Sequence, residues 1–159
     1  MLEGLFRMRI SSDPTGASVS IRVFIVEDHE TFRRTIVEFL TYSGDLEVCG
    51  EAGSAEEAEE AVPLADPDIL VLDVSLPGRS GLELLEGKRD EWRFPCLILS
   101  GHGVRRYVER AFAAGARGYV LKGQPHQVLA GIRRLVSGRP YLSPSLGSLD
   151  DYEIDGVGT

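Results

Sequence analysis

Five polar residues stand at the ends of four apolar runs, and together they could handle a phosphoryl group. Glu27 and Asp28 follow Ile-Arg-Val-Phe-Ile-Val (21–26), Asp73 closes Asp-Ile-Leu-Val-Leu (68–72), Ser100 closes Cys-Leu-Ile-Leu (96–99), and Lys122 closes Gly-Tyr-Val-Leu (118–121). A charged side chain at the end of a buried strand is normally paired, bound to a metal or used. Three carboxylates held close repel one another unless a cation joins them, and oxygen donors suit Mg²⁺, which keeps several of its waters. A carboxylate beside such a cation can act as a nucleophile towards phosphorus, as aspartyl-phosphate chemistry requires. The phosphoryl oxygens then need a cation, an ammonium and a hydroxyl donor around them, and Lys122 and Ser100 are of the right types. Singly, each residue has a plainer reading: Asp28 as a helix cap, Ser100 as partner to a loop amide, Lys122 as a solvated charge. Their joint position at strand ends is what the plainer readings leave unexplained.

The elements that must position these residues alternate along the chain. Strands are expected at 21–27, 47–52, 68–73, 96–101 and 118–122, most of them apolar throughout, as in a parallel sheet covered on both faces. Between them lie helical patterns. Residues 31–42 put Phe32, Ile36, Phe39 and Leu40 on one stripe, and Ser54 with Glu57 and Ser80 with Glu83 have capping-box spacing. Residues 104–115 end on Gly115, and Pro125 suits the first turn of a last helix. Five strand–helix units predict an α/β, doubly wound three-layer sandwich. In such sheets ligands bind beyond the carboxyl ends of the strands, where the five residues lie.

Composition narrows the partners. With 17 basic and 25 acidic residues the net charge is −8, which disfavours direct binding to nucleic acid. No run is long enough to span a membrane, and residues 1–20 lack a signal-peptide core, so a cytoplasmic protein is expected. Cys49 and Cys96 have no metal-site spacing and read as buried thiols of a reducing compartment. Residues 1–20 are expected to be a flexible extension and 141–159 a flexible acidic tail, leaving 21–140 as one domain.

Residues 21 to about 140 resemble the receiver domain of two-component response regulators. The motifs that carry the resemblance are Val-Glu-Asp-His (26–29), Leu-Asp-Val-Ser-Leu-Pro-Gly-Arg-Ser-Gly (72–81), Leu-Ser-Gly-His (99–102) and Gly-Tyr-Val-Leu-Lys (118–122). The resemblance implies a flavodoxin-like (βα)5 fold with a five-stranded parallel sheet of order 2-1-3-4-5. It implies Asp73 as phosphoacceptor and Mg²⁺ as cofactor, held by Asp28, Asp73 and the Ser75 backbone carbonyl, with Glu27 acting largely through water. Ser100 would bond one phosphoryl oxygen and Lys122 another, with Ser100 and Tyr119 forming the switch pair, Tyr119 turning inward on activation. In order 2-1-3-4-5, Cys49 and Cys96 lie three strand steps apart, about 14 Å, beyond disulfide reach.

Three positions depart from the family's usual pattern. Gly123 stands where proline commonly follows the lysine, suggesting a more mobile loop, and Ser100 replaces the commoner threonine. Ser75 and His102, two past Asp73 and two past Ser100, are not water-positioning acids or amides, which suggests a long-lived phosphoryl group. Residues 115–146 are similar to receivers of LuxR-type helix-turn-helix regulators, but 147–159 are too few to form a DNA-reading domain.

The function expected is therefore a stand-alone receiver in phosphorelay signal transduction, not an enzyme in the ordinary sense. It takes its phosphoryl group from a sensor histidine kinase or histidine phosphotransfer protein. It then switches binding of a downstream protein through the face made by its fourth helix, fifth strand and fifth helix (the α4–β5–α5 face, 104–136), with Arg105, Arg106, Arg110 and Arg117 on that side. Alternatives are a LuxR-type receiver parted from its output domain, or a phosphate sink or homodimerisation module. A haloacid-dehalogenase phosphatase is disfavoured, because its aspartyl motif would follow the first strand, where this chain has Val-Glu-Asp-His-Glu-Thr.

Overall fold

The alternating pattern closes into a single sheet in a computed structural model that describes residues 20–154. The elements are β1 (Ile21–Val26), α1 (Glu30–Tyr42), β2 (Leu46–Ala52), α2 (Ala55–Ala65), β3 (Ile69–Asp73), α3 (Gly81–Lys88), β4 (Cys96–Ser100), α4 (Arg105–Ala113), β5 (Gly118–Leu121), α5 (Pro125–Val136) and β6 (Tyr141–Leu142). The strand order is β2-β1-β3-β4-β5-β6, with every neighbouring pair parallel. The expected order 2-1-3-4-5 is present, and a sixth strand extends it beside β5. Among the described residues no helix is long and apolar enough to cross a membrane. The expected N-terminal extension lies outside the described residues apart from Ser20.

Strand alternation divides the core into two layers. Phe24, Val26, Leu70, Leu72, Ile98 and Tyr119 face α2, α3 and α4. Val23, Ile25, Ile69, Val71, Leu97, Leu99 and Val120 face α1 and α5. Burial on both sides is why these strands are continuously apolar. On α1 the buried members of the expected stripe are Ile36 and Leu40; Phe39 is partly exposed, because the stripe is wider than the contact. Ser54 and Ser80 cap as their spacing predicts, accepting from the amides of Glu57 and Glu83 at 3.2 Å each.

The β1–β2 pairing shifts register between Val23 and Phe24, so Cys49 is skipped as a bulge residue. Gly50 then lies under the Phe24 ring, where a Cβ would come within 2.5 Å of it. Cys49 and Cys96 are both free thiols, on strands separated by β1 and β3, and burial raises the pKa of each.

The segment expected to be a flexible tail is largely built into the fold. Tyr141 and Leu142 pair with Gly118 and Tyr119, and two single turns of 3-10 helix follow at Pro144–Leu146 and Leu149–Asp151. Ser143 is fully buried between them: its amide donates to the Tyr119 carbonyl at 3.0 Å and its Oγ accepts from the Leu121 amide at 2.9 Å. Ser143→Ala should therefore lower stability by about 1–3 kcal/mol, seen as a lower urea midpoint with unchanged slope. An unchanged midpoint would mean that water satisfies the Leu121 amide in the variant.

Candidate functional site

Because the strands are parallel, β1, β3, β4 and β5 deliver their last residues to one end of the sheet. Glu27 and Asp73 are fully buried there, two carboxylates in a place that disfavours charge. Lys122 lies between them, its Nζ 2.9 Å from Asp73 Oδ2 and 3.1 Å from Glu27 Oε2. The lysine also lies over the Phe32 ring of α1, and its amide donates to the Ser100 carbonyl at 2.8 Å. The second Asp73 oxygen accepts from the Ser75 amide at 3.0 Å.

The electrostatics follow from burial. Desolvation raises the pKa of Asp73 from the ordinary carboxylate value to about 7; the Lys122 contact opposes this rise and the Glu27 charge adds to it. Desolvation would lower Lys122, but its bonds to Asp73 and Glu27 outweigh this and hold its pKa above the ordinary value. One half-buried ammonium faces two buried carboxylates, so the site carries uncompensated negative charge when all three are ionised.

Asp28 is at the same strand end but groups differently. Glu27, Asp28 and His29 each bring a potential ligand atom within 4.8 Å of the others. His29 Nδ1 is 3.2 Å from Glu27 Oε1 and 3.5 Å from Asp28 Oδ1. The Asp73 carboxylate is outside that cluster; its two oxygens face Lys122 and the Ser75 amide. Glu27 Oε2 and Asp28 Oδ1 are buried and accept no hydrogen bond; the first faces the Lys122 ammonium and the second the His29 ring. Unsatisfied carboxylate oxygens beside a surplus of negative charge are what a hard divalent cation needs, so the residues fit Mg²⁺.

Ser100 and Tyr119 are joined through the loop after β4. Ser100 is buried and its Oγ accepts from the His102 amide at 3.0 Å. The Tyr119 hydroxyl donates to the His102 carbonyl at 2.5 Å, and its ring is fully buried in the α4-side core. Burial raises the phenol's pKa, and the nearby Ser100 hydroxyl works against that rise. Tyr119 therefore occupies an inward position.

Two glycines shape the site, one of them a close approach that the sequence reading did not single out. A Cβ at Gly81, the first residue of α3, would lie 2.1 Å from the Asp73 carbonyl oxygen, so only glycine lets α3 begin this close to β3. Gly123 has φ +106°, which L side chains avoid and which the fixed proline ring cannot adopt. Its departure from the usual proline is thus matched by its backbone. His29 was legible only as part of the Val-Glu-Asp-His motif.

The residues match a known pattern along most of the chain. The pattern of the response regulator receiver domain matches residues 23–133, a span holding all five strand-end residues. The DNA-binding transcriptional activator DevR/DosR of Mycobacterium tuberculosis is 41% identical over 126 residues, 77% of this chain and 57% of that protein. The transcriptional regulatory protein DesR of Bacillus subtilis is 32% identical over 127 residues, 79% of this chain and 63% of that protein. The chain thus spans about three-fifths of the length of these relatives. A two-component response regulator of the LuxR family from Aurantimonas sp. SI85-9A1 has a similar structure, with TM-score 0.75 and 29% identity over 80% of this chain and 92% of that one. Sheet order, buried acid–lysine cluster and pattern agree, and the chain belongs to the response regulator receiver domain family.

Proposed function

We propose that Asp73 accepts a phosphoryl group from a phosphohistidine, carried by a sensor histidine kinase or a histidine phosphotransfer protein, and that the chain works in the cytoplasm as a phosphorylation switch. The observation that carries this reading is Lys122 Nζ at 2.9 Å from Asp73 and 3.1 Å from Glu27, in a buried cluster at the open end of the sheet. In the transfer, an Asp73 carboxylate oxygen forms a bond to phosphorus as the P–N bond breaks. The leaving imidazole nitrogen keeps the bonding pair.

Lys122 is already seated on the acceptor and would neutralise a phosphoryl oxygen, while Ser100 would donate its hydroxyl to another. Glu27, Asp28, Asp73 and the Ser75 carbonyl would hold Mg²⁺, which when bound supplies the positive charge that one lysine cannot. His29, beside Glu27 and Asp28, is near enough to orient both carboxylates.

The switch would use Ser100 and Tyr119. As Ser100 turns to the phosphoryl group, Tyr119 would be favoured in its inward position, with its hydroxyl held on the His102 carbonyl. The α4–β5–α5 side would carry this change to a downstream protein. A partner approaching there also meets residues 141–154, which lie on that side.

The reading is tested by incubating the protein with acetyl phosphate and Mg²⁺ and following intact mass. One added phosphoryl group is expected, absent in Asp73→Asn and absent when the metal is chelated. A mass gain that survives Asp73→Asn would place the acceptor elsewhere.

A further inference from the structure

The α4 side of the sheet bears a built contact that the phosphoryl-accepting role does not use. Leu146, Leu149, Tyr152 and Ile154 pack against the core of that side. The Arg105 guanidinium of α4 lies over the Tyr152 ring, 5.1 Å from its centroid, and the Glu153 amide donates to Glu109 Oε1 of the same helix at 3.1 Å. The segment is also shaped internally. Tyr152 donates its hydroxyl to the Leu146 carbonyl at 2.6 Å, and the Ser148 amide donates to Asp151 Oδ2 at 3.0 Å.

The contact connects to the site at two places. At one end, Ser143 bonds the Tyr119 carbonyl and the Leu121 amide, on the strand that carries Lys122 at its tip. Further along, Leu146 rests on the loop after β4: a Cβ at Gly103 would lie 2.8 Å from Leu146 Cδ2. That loop holds His102, which takes the Tyr119 hydroxyl on its carbonyl and gives its amide to Ser100. A chain of direct contacts therefore runs from Ser100 through His102, Gly103 and Leu146 to Tyr152 and α4. The seated segment coexists with the inward Tyr119. An outward Tyr119 would release the His102 carbonyl and with it the loop on which Leu146 rests.

We infer that residues 143–154 form a strap whose seating on α4 is coupled to the phosphoryl state of Asp73, each favouring the other. The strap holds the loop after β4 in the position that keeps Tyr119 buried. Phosphorylation, by drawing Ser100 to Asp73, favours the same position and tightens the strap. Linkage makes the effect reciprocal: if the phosphoryl group stabilises the seated strap, the seated strap raises affinity for the phosphoryl group or its mimic by the same factor. The inference rests on the phosphoacceptor reading above.

The experiment uses the full chain with beryllofluoride and Mg²⁺, reading affinity by calorimetry and amide hydrogen exchange by mass spectrometry. Exchange across 145–154 is expected to slow about 5-fold on binding, a modest allosteric coupling. Tyr152→Ala should weaken beryllofluoride binding by about the same factor. Arg105→Ala, which removes the ring's partner and leaves the strap sequence intact, should act in the same direction. Tyr42→Ala, at a site 94% exposed on α1, should bind as the unaltered chain does. Binding with no change in exchange, or undiminished binding by both Tyr152→Ala and Arg105→Ala, would overturn the strap and leave Asp73 as acceptor. No beryllofluoride binding at all would overturn the acceptor reading and the strap together.

Discussion

A single methyl group at position 81 is expected to abolish phosphorylation of Asp73 and to cost roughly 3 kcal/mol of stability, at the upper end of what overpacking does. In Gly81→Ala the new Cβ would be 2.1 Å from the Asp73 carbonyl oxygen, 3.0 Å from its carbonyl carbon and 3.2 Å from Leu72 Cγ. The first two are backbone atoms of the central strand and cannot rotate aside. Relief requires that α3 move outward or that the end of β3 shift, and either displaces the Asp73 carboxylate from Lys122. Gly87→Ala in the same helix is the control, because nothing lies within 4 Å of its added methyl. That variant should gain about 0.5–1 kcal/mol from the better helix former. Urea unfolding and intact mass after acetyl phosphate separate the two; a Gly81→Ala protein that is stable and phosphorylated would show that α3 is free to move.

Asp73→Asn should stabilise the metal-free protein at alkaline pH and leave it nearly unchanged in acid. Burial raises the folded-state pKa of Asp73 from the ordinary carboxylate value of 3.8 to about 7. Between those values the folded chain keeps a proton that the unfolded chain has released, so stability falls as pH rises and the loss is complete above about 7. An uncharged amide has no such loss. A shift of three units corresponds to about 4 kcal/mol. Lys122 opposes the rise and remains in the variant, so the expected gain is about 2 kcal/mol at pH 8, shrinking towards zero near pH 4. Thermal melts of both proteins across that range, with chelator present, measure the difference. Mg²⁺ should raise the melting temperature of the unaltered protein at pH 8 and do little for the variant. Equal stabilities at pH 8 would mean that Lys122 fully offsets the buried charge.

The parts of the fold legible in the sequence were those governed by repeated patterns. Continuous apolar runs such as residues 69–72 announce strands covered on both faces, and the capping serines 54 and 80 mark helix starts. Strand ends then place Glu27, Asp73, Ser100 and Lys122 without further information. What escaped was non-periodic. β6 has two residues, too few for any alternation, and its neighbour Ser143 is a polar residue whose burial depends on partners in β5. Leu149, Tyr152 and Ile154 were hidden by the acidic residues among them. The contact of Gly81 with Asp73 depends on how two elements approach, which spacing does not encode. The hydrogen-bonded link from Ser100 through His102 to Tyr119 likewise depends on the course of a loop.

The bulge at Cys49 has a bearing on how this protein behaves in a crowded solution. An open sheet has two outer strands, each offering unpaired backbone groups to other chains. On one side that strand is β6, and two residues are too short a template. On the other it is β2, where the register shift opposite Val23 and Phe24 interrupts the ladder. Glu47 and Glu51 stand exposed along it, each ion-paired with an arginine, Arg22 and Arg33. The kink that admits the Phe24 ring beside Gly50 thus also makes β2 a poor nucleus for edge-to-edge aggregation.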